Sequence, residues 1–259
     1  MAVLALGVAG SALAEAVNLA APALRYRRPS DVEELSEVLR AGDQCVVDLT
    51  GHWPEGSLTA LLAELGPKPE HGWESYGHGI TVLVPAEELT RALTGLEGLA
   101  AVAGRARGAD LADVLAADAQ AQCLLAELGV ADAPGAGAAG GIGALLLATR
   151  VRLNGPLQAL AHWYALPQTL RSADLLVTGA EALDFHAVGG PLVKYLVSAA
   201  EEALIPAVAI VGRNYISARE LRLAGLESAY PVLSGPGQEP CPPEGLSEVA
   251  AAVARTWRW

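Results

Sequence analysis

The sequence predicts an α/β protein of two lobes, a Rossmann-like parallel-sheet domain with a smaller α/β domain inserted into it. Three observations carry that expectation. Short, continuous apolar runs at residues 45–49, 80–84 and 207–212 have the composition of strands buried on both faces. Helical periods lie between the runs and stop at glycines such as Gly42, Gly66 and Gly129. The third is composition: 259 residues that are 52% apolar, 18% charged and only 5% aromatic supply a core for one large or two small domains, made mostly of Ala, Val and Leu.

Taken in order, residues 3–6 read as a strand, Gly7 to Ser11 as a turn and residues 12–19 as a helix, a β–α start. Ala12-Leu13-Ala14 mimics a signal cleavage site, but no basic segment precedes it, so the stretch is read as buried structure. Residues 22–29 form a connector. Ser30-Asp31-Val32-Glu33 has the spacing that opens a helix, which runs to Leu39. A strand at 45–49, a loop at 50–56 and a helix at 58–65 follow. Residues 67–79, with two prolines, His71, His78 and Trp73, read as an exposed excursion before the strand at 80–84. Two histidines seven apart without matching carboxylates do not make a metal site. Residues 87–93 read as a helix, 99–103 as a strand or apolar turn, and 109–128 as a long helix whose apolar face holds Leu111, Val114, Leu115, Leu124 and Leu128.

A glycine-rich loop comes next, Pro134-Gly135-Ala136-Gly137-Ala138-Ala139-Gly140-Gly141-Ile142-Gly143, and runs into helix-forming residues 144–150. Five glycines in nine residues leave bare amides beside a helix start, the outline of an anion site; a close-packed turn is the alternative of equal weight. The C-terminal part continues with helices at 156–166, 192–204 and 246–257, a short one opened by Ser217, and strands at 174–179, 207–212 and 230–233. Trp257 and Trp259 are expected to cover an apolar edge.

Several function classes drop out. A formal charge of -12 with only two lysines argues against nucleic acid, where clustered cations are needed. Tyr26, between Arg25 and Arg27-Arg28, marks the densest basic spot and reads as a solvated linker. No uninterrupted apolar run reaches a membrane span. Cys45, Cys123 and Cys241 are scattered and odd in number, which fits a reducing cytoplasm. The G-x-G-x-x-G reading of Gly135 to Gly140 does not fit a dinucleotide site, because the loop follows a helix and Pro134 where a strand is required.

The order of segments resembles the glycerate kinases of the two-domain bacterial type. Leu128-Gly129-Val130 and then residues 133–144 are similar to that family's loop almost letter for letter. Ala173-Asp174-Leu175-Leu176-Val177-Thr178-Gly179 with Leu183-Asp184 is similar to its strand and following turn, and residues 206–212 and 224–230 continue in its order. The likeness weakens before Gly95, and the chain is shorter than a usual member in its N-terminal half.

The resemblance implies transfer of a phosphoryl group from ATP, with Mg²⁺, to glycerate or a related small hydroxy acid. It implies catalytic Asp184 and Lys194, a metal on Asp184, and nucleotide contacts at Gly135, Gly137, Gly140, Gly141, Gly143, Thr178, Gly179 and Glu181. A small anion, glycerate or phosphate, is the expected partner, and a homodimer is left open. The domains implied are 1–29 with 131–259, and 30–130.

The departures are as specific. The family's Asp and Lys in the first loop are Leu6 and Ala9, its Gly-Ser-rich stretch is Gly51 to Leu58, and its Asp-x-Asp-Asn is Glu88-Leu89-Thr90-Arg91. Ala180 and Ala182 replace a Glu and an Arg, His186-Ala187 a Gln-Thr, and Pro191 a lysine. Asp184 also suits a helix cap, and Glu181 and Lys194 a surface ion pair. Two functions of different class therefore stand: a divergent kinase, or an inactive paralogue that binds an anion or a protein partner.

Overall fold

Two parallel sheets organise the chain, one in each of two units that divide between Leu160 and Ala161. The computed structural model describes residues 10–237 and 241–257, so the strand expected at 3–6 and the role expected for Trp259 lie outside the described residues.

The first unit holds helix α1 (Gly10–Ala20), strand β1 (Arg25–Arg27), α2 (Val32–Ala41), β2 (Cys45–Asp48), α3 (Ser57–Leu65), β3 (Ile80–Leu83), α4 (Leu99–Arg107), α5 (Leu111–Leu128), α6 (Ile142–Ala148) and β4 (Leu153–Asn154). The strands pair in the order β1-β2-β3-β4, all parallel, with Tyr26 beside Val46, Cys45 beside Ile80 and Val82 beside Leu153. β2 is buried along its whole length, as a strand covered on both faces must be. Leu35 and Leu39 of α2, Leu58 and Leu61 of α3, and Ile142 and Leu145 of α6 fill one core around it.

Helix ends follow local chemistry. Asp31, not Ser30, is the N-cap of α2 and accepts the Glu34 N–H at 2.9 Å, while Glu34 accepts the Ser30 N–H at 2.8 Å. Gly42 and Gly129 end α2 and α5 in the left-handed region that glycine tolerates.

Five expectations in this unit need correction. The connector at 22–29 contains β1, which forms because its backbone pairs with β2. Trp73 is buried against the core instead of sitting on an exposed excursion. Residues 86–88 make only a short 3₁₀ turn, and residues 99–107 form α4 where a strand or apolar turn was expected at 99–103. Leu111 and Leu115 of α5 are 70% and 60% exposed; the face packed inward is Ala121, Leu125 and Leu128.

Residues 131–160, expected with the C-terminal lobe, lie in the first unit: α6 is in its core and β4 is the fourth strand of its sheet. The second unit, from Ala161 onward, holds α8 (Leu166–Arg171), β5 (Leu176–Leu183), α9 (Gly190–Glu202), β6 (Ala207–Asn214), α10 (Ala218–Leu223), β7 (Ser228–Pro231) and α11 (Pro243–Thr256); α7 (Pro156–Trp163) spans the division. Its three strands run parallel in the order β5-β6-β7, with Leu176 beside Ala207 and Ile210 beside Tyr230. β6 is buried over seven of its eight residues, and Val193 and Val197 of α9 pack against it with Leu226. Ser217 and Glu220 form a reciprocal capping box at α10. Trp257 donates its indole N–H to the Tyr230 hydroxyl at 2.8 Å and packs beside Val208 and Ile210, the covering role expected of it.

Candidate functional site

The glycine-rich loop is buried throughout, from Gly135 to Gly143. Its glycines are needed because other backbone comes against them. A methyl group on Gly140 would collide with the Pro54 carbonyl, one on Gly137 with the Ala92 carbonyl and one on Gly143 with the carbonyl of Gly135. Gly140 and Gly141 also have φ of 65° and 94°, which a side chain tolerates poorly. Leu58 and Leu93 crowd Gly141, so apolar side chains wall the loop where a charged ligand would need polar ones.

Most amides of the loop are occupied as well. Gly135 and Gly137 both donate to the Arg91 carbonyl, at 3.1 and 3.0 Å. Ala136 donates to Ala133, Ala138 to Gly135, and Gly141 and Gly143 to Ala138. Ile142 donates to Ala139. Ala139 donates to the Glu88 carboxylate at 2.9 Å, and the other oxygen of Glu88 accepts from the Arg91 guanidinium at 2.6 Å. An anion does sit on the loop, and it is a side chain of the same protein. The turn at 86–92 is held down further by Asp132, which accepts the Leu93 N–H at 2.9 Å and the Thr94 N–H at 3.0 Å.

Neither Asp132 nor the pairing of Glu88 with Arg91 was singled out from the sequence. The signal for the second was present, since Glu and Arg at i and i+3 in the turn can pair and reach one loop.

A second polar cluster lies at the carboxyl end of the same sheet. Asp48, 1% exposed, closes β2 and accepts the Thr50 N–H at 2.8 Å and the Thr50 hydroxyl at 2.6 Å. Its other oxygen takes the Tyr26 hydroxyl and faces the Arg28 guanidinium at 3.7 Å. Tyr26 is therefore a ligand of a buried carboxylate and not part of a solvated linker. Burial first, and then the hydrogen bond to Asp48, pushes its hydroxyl pKa well above the ordinary tyrosine range.

The remaining expected residues lie in the second unit. Asp184 follows β5 and accepts the His186 and Ala187 N–H groups at 2.8 and 2.7 Å, capping the turn that ends at Val188. Those two amides, the Ala187 bond foremost, hold its carboxyl below the usual range, with smaller help from the charges of His186 and Lys194. Lys194, on α9, is exposed. Thr178 is buried inside β5 beside Ala209, and a methyl group on Gly179 would stand 2.8 Å from the Ile210 carbonyl. Glu181 accepts the Cys241 N–H at 3.2 Å. Asp184 follows a parallel strand at its carboxyl end and Lys194 lies on the helix after it, the end at which open α/β sheets bind ligands.

Comparison with known proteins adds to this geometry. The sequence model described as the glycerate kinase family matches residues 77–258. Uncharacterized proteins of Mycobacterium bovis and Mycobacterium tuberculosis are each 30% identical over 207 residues, 76% of this chain and 53% of theirs. The chain thus spans about half the length of those relatives. A glycerate kinase of Halalkalibacterium halodurans is 34% identical over 127 residues, 46% of this chain and 33% of that protein. In structure, the chain is similar to glycerate kinase 2 from Salmonella typhimurium LT2, with a TM-score of 0.59 and 19% identity over 88% of this chain and 70% of that one, a likeness of fold.

Proposed function

The chain belongs to the glycerate kinase family, and on that premise we propose that it is a member that binds instead of phosphorylating: a catalytically inactive paralogue whose scaffold serves an anion or a protein partner. The Glu88 carboxylate on the Ala139 amide carries this reading. Phosphoryl transfer depends on donors and cations preorganised around the moving charge. Here the loop presents a carboxylate. That carboxylate, already neutralised by Arg91, takes the Ala139 amide that a transferring phosphate would need. The positions at which the family carries further charge hold Ala180, Ala182 and Pro191.

A second reading has one specific observation behind it. In it Asp184, whose carboxyl is held below the usual range at the carboxyl end of β5, would take a hydroxyl proton, and Lys194 on α9 would face phosphate oxygens. In that reading ATP would lie along Thr178, Gly179 and Glu181, and Mg²⁺ would rest on Asp184. The donor set fits the metal poorly. One oxygen of Asp184 already accepts two amides, and among the described residues no three His, Cys, Asp or Glu side chains are grouped as a metal site.

In either reading the partner is a small anion or a protein. No helix among the described residues is long and apolar enough to cross a membrane. The three cysteines are free, which supports the cytoplasm as the compartment. Thermal melting with and without ATP and Mg²⁺ tests the main reading. No rise in Tm is expected, whereas a rise that disappears in Asp184→Ala would favour the kinase.

A further inference from the structure

Helices α9 and α10 leave a groove of about 290 Å³ between them. Its floor is apolar, made by Val193 and Val197 of α9 with Ala224 at the end of α10. Lys194, Ser198 and Glu201, all exposed, line it at i, i+4 and i+7, a spacing that keeps them on one side of α9. Leu223, 79% exposed, lines it from α10.

The two charges at this groove do not answer each other. Seven residues of helix set Lys194 and Glu201 about 10 Å apart along the axis. Among the described residues neither side chain forms an ion pair, and Asp184 acts on Lys194 only as a charge beyond ion-pair distance. The Glu201 carboxylate is fixed at the α10 end, since a methyl group on Gly225 would stand 2.5 Å from its oxygen. At the Lys194 end Val188 lines the groove with a φ of 46°, a backbone that a β-branched residue keeps only under constraint. The Asp184 turn imposes it, because the Val188 N–H donates to the Asp184 carbonyl at 3.0 Å.

A cation and an anion at the two ends of an apolar trough select the ligand. A polyanion such as a nucleotide would meet Glu201 with like charge, and a ligand of one charge would answer only one end. We propose that the groove binds a small ω-amino carboxylate, its carboxylate on Lys194, its ammonium on Glu201 and a chain of about five methylenes lying over Val193 and Val197.

A chemical-shift titration of the labelled chain with 6-aminohexanoate tests this. It contains no ATP or Mg²⁺, so its outcome is separate from the choice between a binding paralogue and a kinase. Saturable binding at about millimolar concentration is expected, with the shifts concentrated on residues 193–201 and 223–225. Hexanoate and hexylamine, which carry one charge each, should bind about tenfold more weakly, as should 6-aminohexanoate to Lys194→Ala or Glu201→Ala. The double exchange Lys194→Glu/Glu201→Lys is expected to restore binding with the ligand reversed. No saturable shift at the groove, hexanoate or hexylamine binding as tightly as the zwitterion, an affinity unchanged in both alanine variants, or a double exchange as weak as they are would each overturn the proposal.

Discussion

The Glu88 carboxylate accepts the Ala139 N–H at 2.9 Å while Arg91 grips its other oxygen, so the loop that would hold a phosphate is closed by an acid of its own chain. The pair is partly exposed, at 19% and 24% of the two side chains. Replacing Glu88 with Ala removes a charge-assisted hydrogen bond and leaves Arg91 unpaired. A loss of about 1–2 kcal/mol is expected, at the low end for such bonds because solvent screens the pair. Glu88→Gln, which keeps an acceptor, should lose less. Urea unfolding of the two variants checks the order; equal losses would mean that the neutral acceptor contributes nothing beyond the charge.

Close packing, and not ligand access, is what requires a glycine at position 140. Gly140→Ala would meet both an unfavourable φ of 65° and the Pro54 carbonyl, whereas Gly42→Ala has the same φ of 65° and nothing within 4 Å. The difference isolates the clash. Gly42→Ala should cost about 1–2 kcal/mol from the backbone alone, and Gly140→Ala about 1–3 kcal/mol more. Equal Tm values for the two variants would remove the packing explanation.

Asp48 and Tyr26 make the first sheet sensitive to pH at the alkaline end. The hydroxyl of Tyr26 holds its proton more tightly in the folded state than in the unfolded chain. Its contribution is fully present below the ordinary tyrosine pKa of about 10 and is lost as pH rises beyond it. Tyr26→Phe should therefore flatten the fall in stability above that point. Asp48→Ala, which leaves the Tyr26 hydroxyl and the Thr50 N–H without their acceptor, should cost about 1–3 kcal/mol near neutrality. Unfolding midpoints measured from neutral to strongly alkaline pH compare the variants directly.

Acid acts through Asp184 in the opposite sense. Its carboxyl is held below the usual range by the Ala187 and His186 amides, so the turn gains stability above the unfolded carboxylate pKa and loses it as pH falls through the lowered one. Asp184→Ala should weaken the acid dependence of the unfolding midpoint in mildly acidic buffers. An unchanged slope would show that the cap does not couple to folding.

Much of the fold was legible because it rests on local chemistry. Apolar runs marked β2, β3 and β6, glycines in the left-handed region marked the ends of α2 and α5, and Ser217 with Glu220 marked the start of α10. The misses depend on partners far along the chain. Arg25-Tyr26-Arg27 has no strand pattern of its own and becomes β1 by pairing with β2. Leu111 and Leu115 carry helical spacing, which cannot say which of two apolar faces the core takes. The glycine loop is the clearest case. Composition does not separate a glycine that bares its amide from one that admits another backbone, and here Pro54, Arg91 and Ala92 decide the matter from distant parts of the sequence.

ATP-dependent phosphorylation of D-glycerate by the purified chain, followed alongside Asp184→Ala, tests most directly whether a family loop sealed by Glu88 still serves a reaction. The expected result is no turnover above background for either protein. Turnover by the unsubstituted chain that Asp184→Ala abolishes would contradict the inactive reading and identify the chain as a working kinase.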